Sequence, residues 1–176
     1  MSTDILYQIA LTQIPNIGAV QAKQLIEHFG DAATIFKASK KELSTIEGIG
    51  ELKAKAIKSF DDFTPSEYDL TFFQNPHIIT FFLPDIDYPQ RLLHCYDAPT
   101  ILFSLGNADL NATKIISIIG TRSNTDYGKQ ITEQLIAGLQ SLNVLIVSGL
   151  AFGVDAIAHK AAIQNSLSTV GVLAHG

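Results

Sequence analysis

The sequence predicts an α/β protein in which a small all-helical domain precedes a Rossmann-like domain built on a parallel sheet. Hydrophobic residues recur at helical spacing from Ile5 to about Phe60, whereas short apolar runs alternate with helical stretches from Thr100 onward. Each of those apolar runs ends in a loop of small residues. We therefore predict a helical domain over residues 1–64, a connector over 65–99 and a Rossmann-like domain over 100–176, the last incomplete at its carboxyl end.

The composition is typical of a folded globular protein. Hydrophobic residues make up 47% of the 176 residues and charged residues 16%, which argues against disorder. No apolar run reaches the roughly 20 residues of a membrane helix, and the amino terminus does not have the pattern of a secretory signal. Cys95 is the single cysteine, and no Cys/His cluster has the spacing of metal ligands. We expect a cytoplasmic protein without a metal or cofactor.

The net charge limits the kind of nucleic-acid site that this chain can carry. The formal charge is −5, whereas proteins that neutralise many phosphates usually present a basic surface. A nucleic-acid site here must therefore be small and local, and must use backbone amides with one or two cations.

Two segments of the helical region have the pattern of a helical hairpin. Residues 14–25 and 43–57 each combine an apolar residue, a tight turn and a helix with apolar residues at helical spacing. This pattern is similar to the helix-hairpin-helix family, in which the amides of the turn can receive a phosphate. Lys53 and Lys55 follow the second turn and could add positive charge. The interpretation that we favour for this region is a helical bundle that packs or binds a partner without touching DNA.

Three successive parallel strands are predicted in the second domain. They cover residues 115–119, 144–147 and 168–174, and helices over about 127–142 and 155–165 connect them. Ligands of such sheets bind beyond the carboxyl ends of the strands. The small-residue loops after the first and second strands lie at that edge, where their amides and the following helix N-termini predict an anion site.

The candidate DNA-binding residues lie in these two loops, and no residue is assigned to catalysis or to a metal. They are Gly120, Thr121, Arg122, Ser148, Gly149, Ala151, Phe152 and Gly153. Arg122 is the fixed cation, able to hold a phosphate through two parallel hydrogen bonds. Phe152 can offer its ring to a base without regard to sequence.

Structural roles remain open alternatives for several of these residues. The glycines can serve tight strand-to-helix turns alone, and Phe152 can belong to the core or to an oligomer contact. Asp155 and His159 are supporting residues one helical turn apart that could pair with each other. A lone His–Asp pair is more often a structural hydrogen bond than a catalytic one.

Four elements occur in a fixed order along the chain. They are Tyr88-Pro89-Gln90-Arg91-Leu92, the segment from Asp97 to Gly106, the strand ending in Gly120-Thr121-Arg122 and followed by Tyr127-Gly128, and the run from Ser148 to His159. Together with the helical region they resemble the DNA-processing protein A (DprA/Smf) family over essentially the whole chain. The last run is the most specific of the four.

The resemblance implies a single-stranded-DNA-binding protein that protects incoming DNA and loads the RecA recombinase during natural transformation. It also implies a homodimer in the full-length protein and no enzymatic activity. By position, residues 120–122 and the loop from Ser148 to Gly153 would bind phosphates. Phe152 stands where this family varies, so its stacking role does not follow from the resemblance.

A Rossmann-type nucleotide-binding or nucleotide-processing protein is the alternative from a different class. The Pro-Gly-Gly-x-Gly-Thr-x-x-Glu motif of the lysine-decarboxylase-like phosphoribohydrolases is absent, as is a G-x-G-x-x-G fingerprint after the first strand. A scaffold that binds only protein through its helical region is a third interpretation. This interpretation predicts that Arg122 has no effect on DNA binding.

Overall fold

The chain divides into two compact units, residues 1–106 and residues 107–176. A computed structural model describes residues 3–63 and 75–174. Each unit has its own sheet and its own hydrophobic core, and the two are described in turn.

Five helices begin the first unit. They are α1 (Thr3–Gln13), α2 (Ala19–Phe29), α3 (Ala32–Lys37), α4 (Lys40–Ser44) and α5 (Gly50–Ser59). Side-chain caps start two of them: the Asp31 carboxylate accepts the Thr34 amide at 2.8 Å, and Ser39 and Glu42 cap each other's amides. These hydrogen bonds lower the pKa values of Asp31 and Glu42.

The two predicted hairpin turns occur between α1 and α2 and between α4 and α5. Asn16 adopts a positive φ of 65° in the first turn, and Gly48 and Gly50 adopt φ of 76° and 55° in the second. Asparagine tolerates this region better than most residues with a Cβ. The first turn therefore forms although it lacks the leading glycine.

Lysines near these turns bind the protein's own backbone. The Lys23 ammonium donates to the carbonyls of Leu93 (2.5 Å) and Cys95 (2.8 Å), and Lys53 donates to the carbonyl of Gly48 at 2.7 Å. Lys55 is exposed. Of the three lysines in the two helical hairpins, Lys23 and Lys53 thus bind backbone carbonyls of the first unit. Fewer lysines are therefore available to a phosphate than the sequence suggests.

A pair of antiparallel strands completes the first unit. Strands β1 (Ile78–Phe82) and β2 (Ile101–Leu105) pair antiparallel, with Ile78 opposite Leu105 and Phe82 opposite Ile101, and the short helix α6 (Gln90–Leu93) lies between them in sequence. Phe82, Leu83, Tyr88 and Ala98 belong to the same buried core as the helices.

The compact units of the structure meet at a different residue from the predicted domain boundary. The sequence analysis started the Rossmann-like domain at residue 100 and treated residues 65–99 as a connector. Because β2 pairs with β1, and residues around both strands are buried with the helices, the first unit extends to Gly106. Residue 64 of the predicted helical domain and residues 65–74 of the predicted connector lie outside the described residues.

The second unit is the predicted Rossmann-like half. Strands β3 (Ile115–Ser117), β4 (Leu145–Gly149) and β5 (Thr169–Val172) form a parallel sheet in that order, and helices α7 (Asp126–Gly138) and α8 (Val154–Gln164) connect them. The helices pack against each other, and α8 also packs on β4 and β5. The buried cluster between helices and sheet consists of Ile118, Ile136, Val144, Ile146, Ala158, Ala161, Ala162 and Leu167.

Element ends differ from the prediction in ways that matter for the loops. Strand β3 stops at Ser117, so Ile119 is exposed beyond it, whereas β4 continues through Ser148 and Gly149. Helix α7 starts at Asp126 and ends at Gly138, with a separate 3₁₀ turn over Gln140–Leu142. Within the described ranges, no helix is long and apolar enough to cross a membrane.

Tyr88 provides a test of the first unit's core. Its side chain is buried and its hydroxyl donates to the Pro99 carbonyl at 2.7 Å. Burial, with a smaller contribution from Cys95, raises the pKa of Tyr88 to about 12. An unfolded tyrosine ionises near pH 10, so the stability linked to neutral Tyr88 is fully present below pH 10 and is lost as the pH rises towards 12.

We expect the wild-type urea midpoint to fall between about pH 10 and about pH 12, the interval bounded by these two pKa values, and Tyr88→Phe to show a smaller fall. At pH 8 the variant should lose about 1 kcal/mol through the missing hydrogen bond. Tyr96→Phe is the matched control because Tyr96 is exposed. Identical pH profiles for wild type and Tyr88→Phe would contradict this account.

Candidate nucleic-acid interface

The two loops predicted to bind DNA are in direct contact with each other. The Val154 amide, at the start of α8, donates to the Thr121 carbonyl at 3.1 Å. Gly153 has φ of +82°, and a Cβ there would lie 2.2 Å from the Thr121 carbonyl oxygen. A Cβ on Gly120 would lie 2.6 Å from the Val154 side chain. The loops after β3 and β4 therefore form one surface.

Other glycines are also explained by packing. A Cβ on Gly149 would approach the Asp155 carboxylate at 3.0 Å, and one on Gly171 of β5 would meet the Leu150 side chain at 2.5 Å. Gly171 was not among the predicted residues, although a glycine inside a strand often marks the close approach of another segment. The structural alternative for Gly120, Gly149 and Gly153 thus has a physical basis at each position.

Ser148 does not face the loop surface. It is 4% exposed, and its hydroxyl donates to the Ile118 carbonyl at 2.7 Å. Because β4 continues to Gly149, Ser148 points towards the helices, as Ile146 does two residues earlier. Its side chain therefore joins the ends of two strands, contrary to its predicted place among the DNA contacts.

Arg122 occupies the position expected of a phosphate ligand. It is exposed on the loop that Gly153 supports, and it makes no hydrogen bond or ion pair with any residue that the structure describes. Thr121 shapes the same loop, because its hydroxyl accepts the Ser123 amide at 3.1 Å. Lys114 and Lys129 are engaged elsewhere, with the Leu142 carbonyl and with Glu133. The Arg122 guanidinium thus has no hydrogen-bond or ion-pair partner among the residues that the structure describes.

The two helix N-termini are less available to an anion than predicted. The Thr125 hydroxyl accepts the Gly128 amide at 3.1 Å, and Asp126 adds a negative charge in the first turn of α7. At α8 the Val154 amide is taken by Thr121, and Asp155 is in the first turn. Acidic side chains there already complement the helix dipole. Arg122 therefore has to supply most of the attraction for a phosphate.

Large apolar side chains are exposed on and beside the two loops. Phe152 is 84% exposed and is not a core residue of this unit. Tyr127, Ile119 and Leu150, which the sequence analysis did not include in the site, are exposed as well. Ala151 is half-buried, and its amide turns back to the Gly149 carbonyl. The loops after β3 and β4 thus carry one exposed guanidinium together with exposed rings and aliphatic groups.

Asp155 and His159 do not form the predicted pair. The Nδ1 atom of His159 is 2.7 Å from the Thr169 hydroxyl, which itself donates to the Ile146 carbonyl at 3.0 Å. The hydroxyl must therefore accept from Nδ1–H, which fixes the tautomer. His159 thus ties α8 to β5. The buried Asp155 Oδ1 and His159 Nε2 atoms have no hydrogen-bond partner in the described part of the chain.

The structure offers no obvious metal centre. Among residues 3–63 and 75–174, no three His, Cys, Asp or Glu side chains are grouped so that they could hold a metal ion. The chemistry of the loop surface is thus that of one guanidinium, exposed rings and backbone groups.

Comparison with protein families gives matches over both units. Residues 78–176 match the model of the family described as DNA recombination-mediator protein A, and residues 9–60 match the SAM-like helix-hairpin-helix tandem. The family resemblance and the helix-hairpin-helix prediction are thereby confirmed.

Individual proteins show the same relationship. Protein Smf of Synechocystis sp. is 32% identical over 176 residues, which cover 97% of this chain and 44% of that protein. The DNA processing protein DprA of Streptococcus pneumoniae is 40% identical over 97 residues, 55% of this chain and 34% of that protein. The chain therefore spans less than half the length of these two relatives.

A solved structure confirms the predicted fold class. The X-ray structure of DNA processing protein A (DprA) from Streptococcus pneumoniae matches with a TM-score of 0.70 and 28% sequence identity. The match covers 95% of this chain and 56% of that chain. The chain therefore has the predicted helical module followed by a parallel-sheet unit.

The contact between the loops predicts a large cost for Gly153→Ala. The added Cβ would clash with backbone atoms and would force a non-glycine residue to adopt φ of +82°. We expect the free energy of unfolding to fall by more than about 2 kcal/mol, measured by urea unfolding with circular dichroism.

Gly138→Ala is the matched control for this substitution. Gly138 ends α7, and a Cβ there would have no atom within 4 Å. Alanine at this position should raise the free energy of unfolding by about 0.5–1 kcal/mol. Equal stability of the two variants would show that the close approach of the loops is not a constraint on the fold.

Proposed function

The chain belongs to the DNA recombination-mediator protein A family, and from that premise we propose that it is a cytoplasmic single-stranded-DNA-binding protein and not an enzyme. The proposed site is the joined surface of the two loops at the carboxyl edge of the β3–β5 sheet. The observation that carries the proposal is the unpaired, exposed guanidinium of Arg122 on the loop that Gly153 supports.

Charge and shape both favour a single strand over a duplex. The net charge of −5 disfavours the broad phosphate contact that duplex binding uses. One arginine can hold one phosphate bidentately, and the exposed ring of Phe152 can stack on a base that has no partner. In a duplex the bases are stacked on one another and cannot reach such a ring.

The biological role follows from the family. We propose that the full-length protein is a homodimer that protects incoming single-stranded DNA and delivers it to the RecA recombinase during natural transformation. RecA filament formation on single-stranded DNA, followed with and without the full-length protein, tests this role. Unchanged filament formation would contradict the role in RecA loading and would leave DNA binding itself untouched.

Arg122→Ala should weaken binding of fluorescent oligo-dT by about 1.5–3 kcal/mol, the range for loss of a hydrogen bond to a charged group. The slope of log K against log salt should also decrease by roughly one phosphate contact. Fluorescence anisotropy over a salt series measures both quantities. Arg122→Lys should fall between wild type and alanine because it keeps the charge and loses the bidentate geometry.

Lys114→Ala is the matched control for Arg122→Ala. It removes the same charge immediately before β3, at the amino edge of the sheet, whereas Arg122 lies at the carboxyl edge. Equal weakening by the two substitutions would mean non-specific attraction and would contradict the proposed site. Competition by a mononucleotide as strong as that by oligo-dT would instead favour a nucleotide-binding protein.

A further inference from the structure

Tyr127 is a second exposed ring at the same edge of the sheet as Phe152. It is the second residue of α7, which begins directly after the Arg122 loop, and its side chain is 73% exposed. Helix α7 buries Thr132 and Ile136 instead. Tyr127 therefore makes no comparable contribution to the core of this unit.

We propose that Tyr127 stacks on a base of the bound strand, so that two rings, Tyr127 and Phe152, hold bases beside the phosphate on Arg122. This inference rests on the proposed function, because it names a further residue of the same site. Each ring belongs to one of the two loop regions, and those loops are joined by the contact of Gly153 with Thr121.

The local structure holds the Tyr127 backbone in place before any ligand binds. Thr125 is the N-cap of α7, and its hydroxyl accepts the Gly128 amide. Tyr127 therefore lies within the helical turn that this capping hydrogen bond closes. A tyrosine has only two side-chain torsions to fix on binding, and its ring gives a large contact area for that small entropy cost. Stacking is also independent of base identity.

A protein partner is the competing occupant of this face. Tyr127, Ile131 and Leu135 follow one another at intervals of four residues, and all three are exposed. Tyr127 is the member of this row at the Arg122 end of the helix, and it is the most exposed of the three. The adjacent cation favours an anionic ligand that also carries apolar rings, which describes single-stranded DNA.

The test compares an oligo-dT with an abasic strand of the same length, which has the phosphates and sugars but no bases. Tyr127→Ala should weaken oligo-dT binding about 5- to 150-fold, the range for loss of one stacked base, and should leave abasic-strand binding unchanged. Tyr127→Phe should bind oligo-dT like wild type because the ring remains. Anisotropy measures the affinities, and circular dichroism checks the fold of each variant.

Tyr96→Ala is the matched control, because Tyr96 is as exposed as Tyr127 but belongs to the first unit. It should not change either affinity. Equal loss of oligo-dT and abasic-strand binding by Tyr127→Ala would overturn the stacking role, since the ring would then act on the phosphate site or on the fold.

Two further outcomes separate this inference from the proposed function. If Arg122→Ala weakens oligo-dT binding and Tyr127→Ala does not, the proposed single-strand site is supported and the stacking role of Tyr127 is contradicted. If wild type binds neither strand, both proposals fail together. A change of sedimentation on Tyr127→Ala, without a change of affinity per site, would assign the row of Tyr127, Ile131 and Leu135 to a protein contact.

Discussion

The close approach of Gly153 to the Thr121 backbone is the constraint on which the loop surface depends. A side chain at residue 153 would overlap the carbonyl oxygen of Thr121, and the neighbouring Val154 amide donates to that same oxygen. Two loops from separate strand–helix units thereby become a single surface. Arg122 projects from one loop and Phe152 from the other, so the contact determines which chemical groups stand side by side.

This packing has an electrostatic consequence. The carbonyl of Thr121 occupies the amide of Val154, and acidic residues are present in the first turns of both helices. One amide at the N-terminus of each helix is thus satisfied from within the protein, and an acidic side chain complements each helix dipole. In the site that we propose, attraction for a phosphate then depends on one guanidinium, in keeping with a net charge of −5, and the exposed rings supply part of the remaining affinity.

The sequence allowed most of the fold to be predicted, because each element has a clear period. The parallel strands and their helices agree with the predicted order, and family matches cover both parts of the chain. The predicted boundary at residue 100 differs from the division of the structure after Gly106, because the apolar run at Ile101–Leu105 looks like any other strand. Only its pairing with Ile78–Phe82, separated by a long segment of chain, shows to which unit it belongs.

The directions of the site side chains were harder to predict than the elements that carry them. The prediction ended β4 at Val147, so Ser148 was treated as a loop residue. The strand continues through Ser148 and Gly149, and successive strand residues face opposite sides of a sheet. The Ser148 hydroxyl therefore points inward and donates to the Ile118 carbonyl. Tyr127 was not included in the predicted site, because an aromatic residue in the first turn of a helix gives no sign of whether it faces the core or solvent. The glycines were identified correctly as special positions, but their packing explains them without a ligand. Substituting them would disturb the fold and any bound strand together. Arg122, Phe152 and Tyr127, which are exposed, are therefore the residues whose loss can report on DNA binding separately from folding.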